Sequence, residues 1–113
     1  MAVDPMLMPM PARADARVGE DVWVTGAIGD SALGLALLNG MISAREEADA
    51  RYLMARYRTP EPRTAFARAI AHFASAAMDV SDGLVVDAGK IAAASGVALR
   101  LEAETIPVSP PAR

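Results

Sequence analysis

Two short stretches of the chain alternate apolar and polar residues, which is the pattern of a β-strand with one buried face. At residues 21–26, β-branched and aromatic residues run up to a glycine. At residues 97–103, apolar residues occupy every second position, and Arg100 and Glu102 lie between them. Because side chains on a strand point alternately to its two faces, both stretches are predicted to be strands.

Apolar residues at helical spacing predict four helices in the rest of the chain. The first follows a glycine turn, is expected to be capped by Asp30 or Ser31, and stops at residues 39–40. The second begins at residues 43–46, which have the spacing of a capping box, and runs to a proline-rich break at residues 59–62. The chain therefore begins with a strand, a glycine turn and two helices.

Two more helices are predicted after that break. Phe66, Ile70 and Phe73 recur at spacings of four and three, which predicts a third helix with this side buried. A brief apolar segment, predicted to be a short strand, leads to a fourth helix that starts near Leu84 and closes at Gly96.

These elements predict an α/β fold, a mixed sheet with helices. So few strands offer too little apolar surface to cover four helices, so we expect part of a larger domain. Residues 13–113 are predicted to form a partial α/β domain that is truncated before its end. Residues 1–12 have three prolines and an acid where a signal peptide needs positive charge, and are predicted to be a flexible lead-in or an expression remnant.

Composition narrows the function classes. The chain has 113 residues, 53% of them hydrophobic, and a net charge of -3. Without a basic block that could neutralise phosphates, no nucleic-acid partner is expected. The longest uncharged stretch, residues 31–44, is too short to cross a bilayer, so no membrane partner is expected. The absence of cysteine fits a cytoplasmic protein and rules out thiolate chemistry.

The densest group of candidate ligands lies at a turn before the fourth helix. Asp79, Ser81 and Asp82 fall within four residues, and their oxygen atoms suit a hard cation such as Mg²⁺. Two acids would hold the metal and the serine would meet a phosphate at the helix start. Spacing alone leaves a plainer interpretation open, in which Ser81 or Asp82 caps the helix and Asp79 is a turn residue.

Other motifs are weaker. Residues 79–90 do not fit a calcium EF-hand, and residues 83–91 do not fit a Walker phosphate loop, because key ligand positions are wrong in both. The glycines at residues 26–34 suit a phosphate loop in context but not in spacing, and a tight turn with close packing of a helix on a strand at Gly34 is the plainer interpretation. His72 is interpreted as structural, and the charged residues from 45 to 58 as a solvated helix face.

Four segments in order resemble thiamine-monophosphate kinase: residues 13–20, 22–35, 57–63 and 78–84, followed by 106–109. The resemblance covers about residues 13–110. It implies part of the C-terminal domain of an aminoimidazole ribonucleotide synthetase-like fold. It also implies ATP-dependent phosphorylation of thiamine monophosphate to thiamine diphosphate, with Mg²⁺, in a homodimer of two-domain subunits.

The resemblance also implies roles for single residues. Asp79 and Asp82 match metal ligands of the family, and Ser81 matches a nucleotide contact. Arg13 matches a nucleotide-binding arginine, although the family's Arg-Ser-Gly-Ala has become Arg-Ala-Asp-Ala here. No residue of this chain is implied to be catalytic.

Other acidic motifs of the family have no counterpart in this sequence. Phosphoryl transfer needs metals and charges from several sides, so the chain is expected to be an inactive fragment by itself. Two alternatives stay open. One is a free-standing binding domain without catalysis. The other is another enzyme of the same ATP-binding superfamily, which includes aminoimidazole ribonucleotide synthetase, hydrogenase maturation proteins and selenophosphate synthetase.

Overall fold

The computed structural model describes residues 10–113, which divide into two compact units. The α1–α2 unit consists of Trp23–Pro62 and Glu102–Arg113. The α4 unit consists of residues 10–22 and Arg63–Leu101. Of the predicted lead-in at residues 1–12, residues 1–9 lie outside the described part of the chain. The predicted partial domain at residues 13–113 stays a prediction.

In the α1–α2 unit, the two predicted helices form. Helix α1 spans Asp30–Leu38 and helix α2 spans Glu47–Arg58. The predicted side-chain caps do not form at either helix. Instead, Gly29 precedes α1 with a φ of 98°, and Glu46 precedes α2 in an extended conformation. A glycine needs no side-chain bond to make this entry, because it adopts positive φ without strain.

Helices α1 and α2 are in close contact at Gly34. This glycine is buried, and a Cβ atom built on it would lie 2.1 Å from the carbonyl oxygen of Leu53. Close packing at Gly34 is therefore confirmed, but its partner is a helix and not the predicted strand. Leu53 itself is buried in the contact, with 3% of its surface exposed.

A buried carboxylate fastens the last residues of the chain to this helix pair. Asp30 Oδ1 accepts a hydrogen bond from the Ser109 hydroxyl at 2.6 Å, and Asp30 Oδ2 accepts one from the Tyr52 hydroxyl at 3.1 Å. Next to them, the Ile28 N–H donates to the Pro107 carbonyl at 2.8 Å. A 3-10 turn at Pro110–Ala112 then packs against both helices.

In the α4 unit, a 3-10 turn at Thr64–Phe66 leads into helix α3, Ala67–Phe73, and helix α4 spans Leu84–Ser95. Helix α4 ends at Gly96 with a φ of 67°, as predicted. Its apolar side buries Leu84 and Ala88, which are the buried hydrophobic residues described in this unit.

The predicted buried side of α3 is wrong for the described chain. Phe73 is 82% exposed and Phe66 is 48% exposed, while Ile70 is half-buried. Phe66 lies on the 3-10 turn before α3, and within this unit the only ring described against Phe73 is that of His72, with ring centroids 4.6 Å apart. An apolar side becomes a buried side only when another element covers it.

Residues 10–113 contain no β-strand, so the mixed sheet does not form within them. A strand exists through hydrogen bonds to a neighbouring strand, and the segments at 21–26 and 97–103 have no such ladder. The second segment nevertheless keeps the predicted alternation: Val97, Leu99 and Leu101 are half-buried, and the residues between them are exposed. Among the described helices, none is long and apolar enough to cross a membrane.

We predict that Gly34→Ala destabilises the chain by about 1–3 kcal/mol, because the added methyl group has no room against the backbone of α2. Urea unfolding followed by circular dichroism measures this free energy. Gly89→Ala is the matched control: Gly89 lies within α4, with nothing within 4 Å of its Cβ position. Alanine there should stabilise by about 0.5–1 kcal/mol. Equal effects of the two substitutions would contradict the close approach of α1 and α2.

Candidate nucleotide and metal site

The candidate ligands lie on the loop at residues 79–83, named here the acidic loop, which runs directly into α4. Asp79, Ser81 and Asp82 are all exposed. Gly83 makes the transition with a φ of 119°, a conformation that suits glycine and strains other residues. The three residues therefore lie on one loop directly before a helix, as the sequence predicts.

Asp87 organises this loop, and the sequence reasoning missed it. Its carboxylate is almost fully buried, with 1% of the residue exposed. One oxygen, Oδ2, accepts the backbone N–H groups of Ser81 at 2.8 Å and of Asp82 at 3.0 Å. The carboxylate thus reaches back from the first turns of α4 to the residues before the helix. The signal in the sequence was that Asp87 is an acid six residues after Ser81 and five after Asp82.

The plainer interpretation, in which Ser81 or Asp82 caps α4, is not what forms. Helix α4 has no side-chain cap hydrogen bond at its start. Within residues 10–113, the Ser81 hydroxyl and the Asp79 carboxylate form no hydrogen bond or ion pair with another side chain or backbone group. Among the described residues, neither group is thus occupied by another part of the chain.

Lys90 joins the loop to Asp87. Its Nζ atom lies 2.5 Å from Asp82 Oδ2 and 2.8 Å from Asp87 Oδ1. The hydrogen bond from Lys90, with those from the backbone of Ser81 and Asp82, lowers the pKa of Asp87 to about 2, although burial opposes the shift. The same contacts, that with Asp82 first, raise the pKa of Lys90 above its ordinary value. Asp87 and Lys90 are thus a charged pair at neutral pH.

The donor atoms of the loop suit Mg²⁺ in kind but do not complete a site. Residues 10–113 hold no group of three metal-ligating side chains. Mg²⁺ commonly takes one or two carboxylates and fills its remaining positions with water and phosphate oxygens, so two exposed acids fit such an ion. A metal at Asp82 would share or displace the contact with Lys90.

Arg13 lies at the other end of α4. Its carbonyl accepts a hydrogen bond from the Ser95 hydroxyl at 3.1 Å, and the Ala16 N–H donates to the same hydroxyl oxygen at 3.1 Å. Because α4 is about 16 Å long between its end residues, Arg13 does not meet Ser81. An exposed arginine there would reach only a distant part of a nucleotide held at the acidic loop.

With this geometry established, comparison with known proteins assigns the family. The model for "AIR synthase related protein, C-terminal domain" matches residues 17–113. The chain belongs to this family. The predicted C-terminal fold like that of aminoimidazole ribonucleotide (AIR) synthetase is therefore confirmed. The described residues of this AIR synthase-related chain nevertheless contain no sheet.

Individual relatives have a common name. The chain is 44% identical over 97 residues to thiamine-monophosphate kinase of Salmonella typhimurium, covering 86% of this chain and 30% of the relative. It is 42% identical over 101 residues to thiamine-monophosphate kinase of Caulobacter vibrioides, covering 89% and 28%. The predicted resemblance is thus confirmed, and this AIR synthase-related chain spans about 30% of the length of the curated relatives it matches.

A solved structure shares the fold. The structure described as AaThiL complexed with AMPPCP and TMP superposes with a TM-score of 0.82 at 38% identity. The match covers 89% of this AIR synthase-related chain and 32% of that chain.

We predict that stability falls in acid through Asp87. Its folded pKa of about 2 lies below the ordinary value of 3.8, so the unfolded chain takes up the proton first. The contribution of the ionised carboxylate is complete above pH 3.8 and is lost as the pH falls towards 2. Asp87→Asn lacks this contribution at every pH. In urea unfolding, the variant should be less stable than the wild type at neutral pH, and this difference should become smaller as the pH falls from 3.8 towards 2.

Glu47→Gln is the control for this pH series, because it removes a carboxylate from an exposed ion pair with Arg51. Its stability should stay close to that of the wild type throughout. A gap between Asp87→Asn and the wild type that is the same at every pH would contradict the lowered pKa of Asp87. At the alkaline end, the contribution of Lys90 should be lost as the pH rises beyond its ordinary pKa of 10.5.

Proposed function

We propose that this chain is part of an ATP-dependent kinase that phosphorylates thiamine monophosphate to thiamine diphosphate. The observation that carries the proposal is the close similarity in fold to a protein complexed with AMPPCP, an ATP analogue, and TMP. The shared name of the curated relatives supports the same reaction. ATP and thiamine monophosphate are therefore the proposed partners.

We propose that the acidic loop forms one wall of the Mg²⁺–nucleotide site. Asp79 and Asp82 would hold the metal, and Ser81 would donate its hydroxyl to a phosphate oxygen. Bound Mg²⁺ would neutralise charge on the phosphates during transfer. Two features support these roles: the three side chains are exposed on one short loop, and neither Ser81 nor Asp79 is engaged within the described chain.

Arg13 is proposed to contact a part of the nucleotide away from the acidic loop. Support comes from its family match, its exposure, and the bond between its carbonyl and Ser95, which fixes its backbone against the end of α4. A guanidinium in this position suits stacking or hydrogen bonding better than it suits the reacting phosphates.

The remaining parts of the site would come from the rest of a longer enzyme, and we propose that this enzyme is a homodimer. Catalysis of phosphoryl transfer is mostly positioning and electrostatic stabilisation, for which two acids on one loop are insufficient. The described chain is accordingly proposed to be inactive alone. A free-standing binding domain is less favoured, because the resemblance includes the whole acidic loop.

We also propose that residues 21–26 and 97–103 join a mixed sheet in the longer enzyme. Val97, Leu99 and Leu101 are half-buried while the residues between them are exposed, and Trp23 is 87% exposed. Both segments therefore have apolar surface and backbone groups that a neighbouring element would cover, which supports this proposal.

This sheet has a direct test. Backbone N–H groups at residues 22–25 and 98–101 should exchange with solvent about a hundredfold more slowly in the longer enzyme than in the 113-residue chain. Hydrogen–deuterium exchange with mass spectrometry measures the difference. The N–H groups of α1 serve as the reference, because that helix already forms in the short chain. Equally fast exchange of both segments in the longer enzyme would rule out their pairing.

Substitutions in the acidic loop test the site. In a complete kinase that carries this sequence, Asp82→Asn should lower turnover by about a hundredfold or more, because it removes a metal-binding charge. Ser81→Ala should raise the KM for ATP about tenfold with a smaller change in kcat, because it removes one hydrogen bond to a phosphate. Steady-state assays at varied Mg²⁺ and ATP measure both effects.

Val80→Ala is the matched control, because Val80 lies on the same loop, is 46% exposed, and carries no ligand atom. Its kinetics should match those of the unmodified enzyme. Normal turnover and normal Mg²⁺ dependence in the Asp82 variant would contradict the proposed role of Asp82 in metal binding and would indicate that the loop is purely structural.

A further inference from the structure

Asp87 makes contacts that a folding role alone does not require. A helix start is commonly completed by the side chain of a serine or aspartate directly before it, but glycine occupies that position here, and Ser81 and Asp82 lie three and two residues before the helix. Helix α4 uses neither. A carboxylate from inside the helix instead binds the backbone of the two residues that carry the proposed ligands.

The direction of these bonds decides what the loop presents. The N–H groups of Ser81 and Asp82 point inward to Asp87 Oδ2, at 2.8 and 3.0 Å. With its backbone N–H held inward, Ser81 keeps its side chain on the exposed surface. Asp82 likewise keeps 63% of its side chain exposed. The inward bonds thus leave both side chains exposed, with Asp82 Oδ2 also in contact with Lys90 Nζ.

Burial makes Asp87 a firm anchor. A buried carboxylate is stable only when its oxygens are fully hydrogen-bonded or paired with a cation. Here two N–H groups satisfy one oxygen and Lys90 Nζ satisfies the other at 2.8 Å. Release of the loop would leave Oδ2 without its two N–H donors, so the loop is held even though all its residues are exposed.

Resting on the proposed function, we propose that Asp87 is a positioning residue that sets Ser81 and Asp82 for a divalent cation and its bound phosphates. In this proposal, Asp87 itself contacts neither the cation nor the phosphates. Lys90, which holds Asp82 and Asp87 together, is its charge partner. Groups that orient metal ligands in this way typically change metal affinity by about 10- to 100-fold when they are removed.

The test uses the 113-residue chain labelled with ¹⁵N, with Mn²⁺ as the probe. Mn²⁺ broadens the resonances of nearby backbone N–H groups and reports a dissociation constant. Asp87→Asn keeps the size of the side chain but loses its charge. We expect Mn²⁺ binding to weaken about 10- to 100-fold, and the N–H groups of Ser81 and Asp82 to exchange with solvent about tenfold faster or more, while the α4 resonances stay dispersed.

Lys90→Met leaves the N–H bonds from Ser81 and Asp82 to Asp87 Oδ2 but removes the cation from Oδ1. The two N–H groups should therefore exchange faster than in the wild type and more slowly than in Asp87→Asn. Glu47→Gln, which removes an exposed carboxylate from α2, should leave Mn²⁺ binding unchanged. Exchange in the wild-type chain is a further measurement that needs no variant: the two N–H groups should exchange slowly although their residues are exposed.

Three results would overturn the proposal. The first is equal Mn²⁺ affinity of the wild type and Asp87→Asn. The second is fast exchange of the Ser81 and Asp82 N–H groups in the wild type, which decides the matter even if Asp87→Asn does not fold. The third is no Mn²⁺ binding by the wild type. All three leave the kinase proposal standing, because the remaining parts of the site are proposed to come from the longer enzyme. Conversely, loss of Mn²⁺ affinity in Asp87→Asn, in a complete enzyme that does not phosphorylate thiamine monophosphate, would support the positioning role and refute the proposed function.

Discussion

Each unit of this chain is organised around one buried carboxylate. Removing a charge from water is unfavourable unless hydrogen bonds or a cation replace the lost hydration, so a buried acid fixes every group that satisfies it. Asp30, with 4% exposed, fixes Tyr52 and Ser109, and Asp87, with 1% exposed, fixes the acidic loop and Lys90. Described apolar burial is modest, and these polar centres supply the specific geometry.

The helices could be predicted from the sequence because their signals are local. Apolar spacing and the terminal glycines gave the bounds of α1 and α4 nearly to the residue. The caps could not be predicted in the same way. Ser31 and Ser43 have good capping chemistry, but a glycine in positive φ and an extended glutamate precede the two helices instead. Cap identity depends on the backbone path, which residue type alone does not reveal.

The predictions of the two strands and of a buried side on α3 were wrong for a different reason. A strand needs a partner and an apolar side needs a cover, and both are supplied by other parts of a fold. Phe73 and Trp23 have the right residue type for burial and are exposed in the described chain. The candidate site could be predicted in part. Asp79, Ser81 and Asp82 form a recognisable motif. Asp87, in contrast, looks in the sequence like an ordinary acid on a helix, and only its contacts in the structure show its role.

Lys90 is the only lysine of the sequence, and it lies in the middle of α4 with its amine held by two acids. An endoprotease specific for lysine has a single peptide bond to cut in this chain, and that bond lies inside an intact helix. Helical backbone must open before a protease can take it into its active site. The rate of that one cleavage therefore reports how often α4 opens.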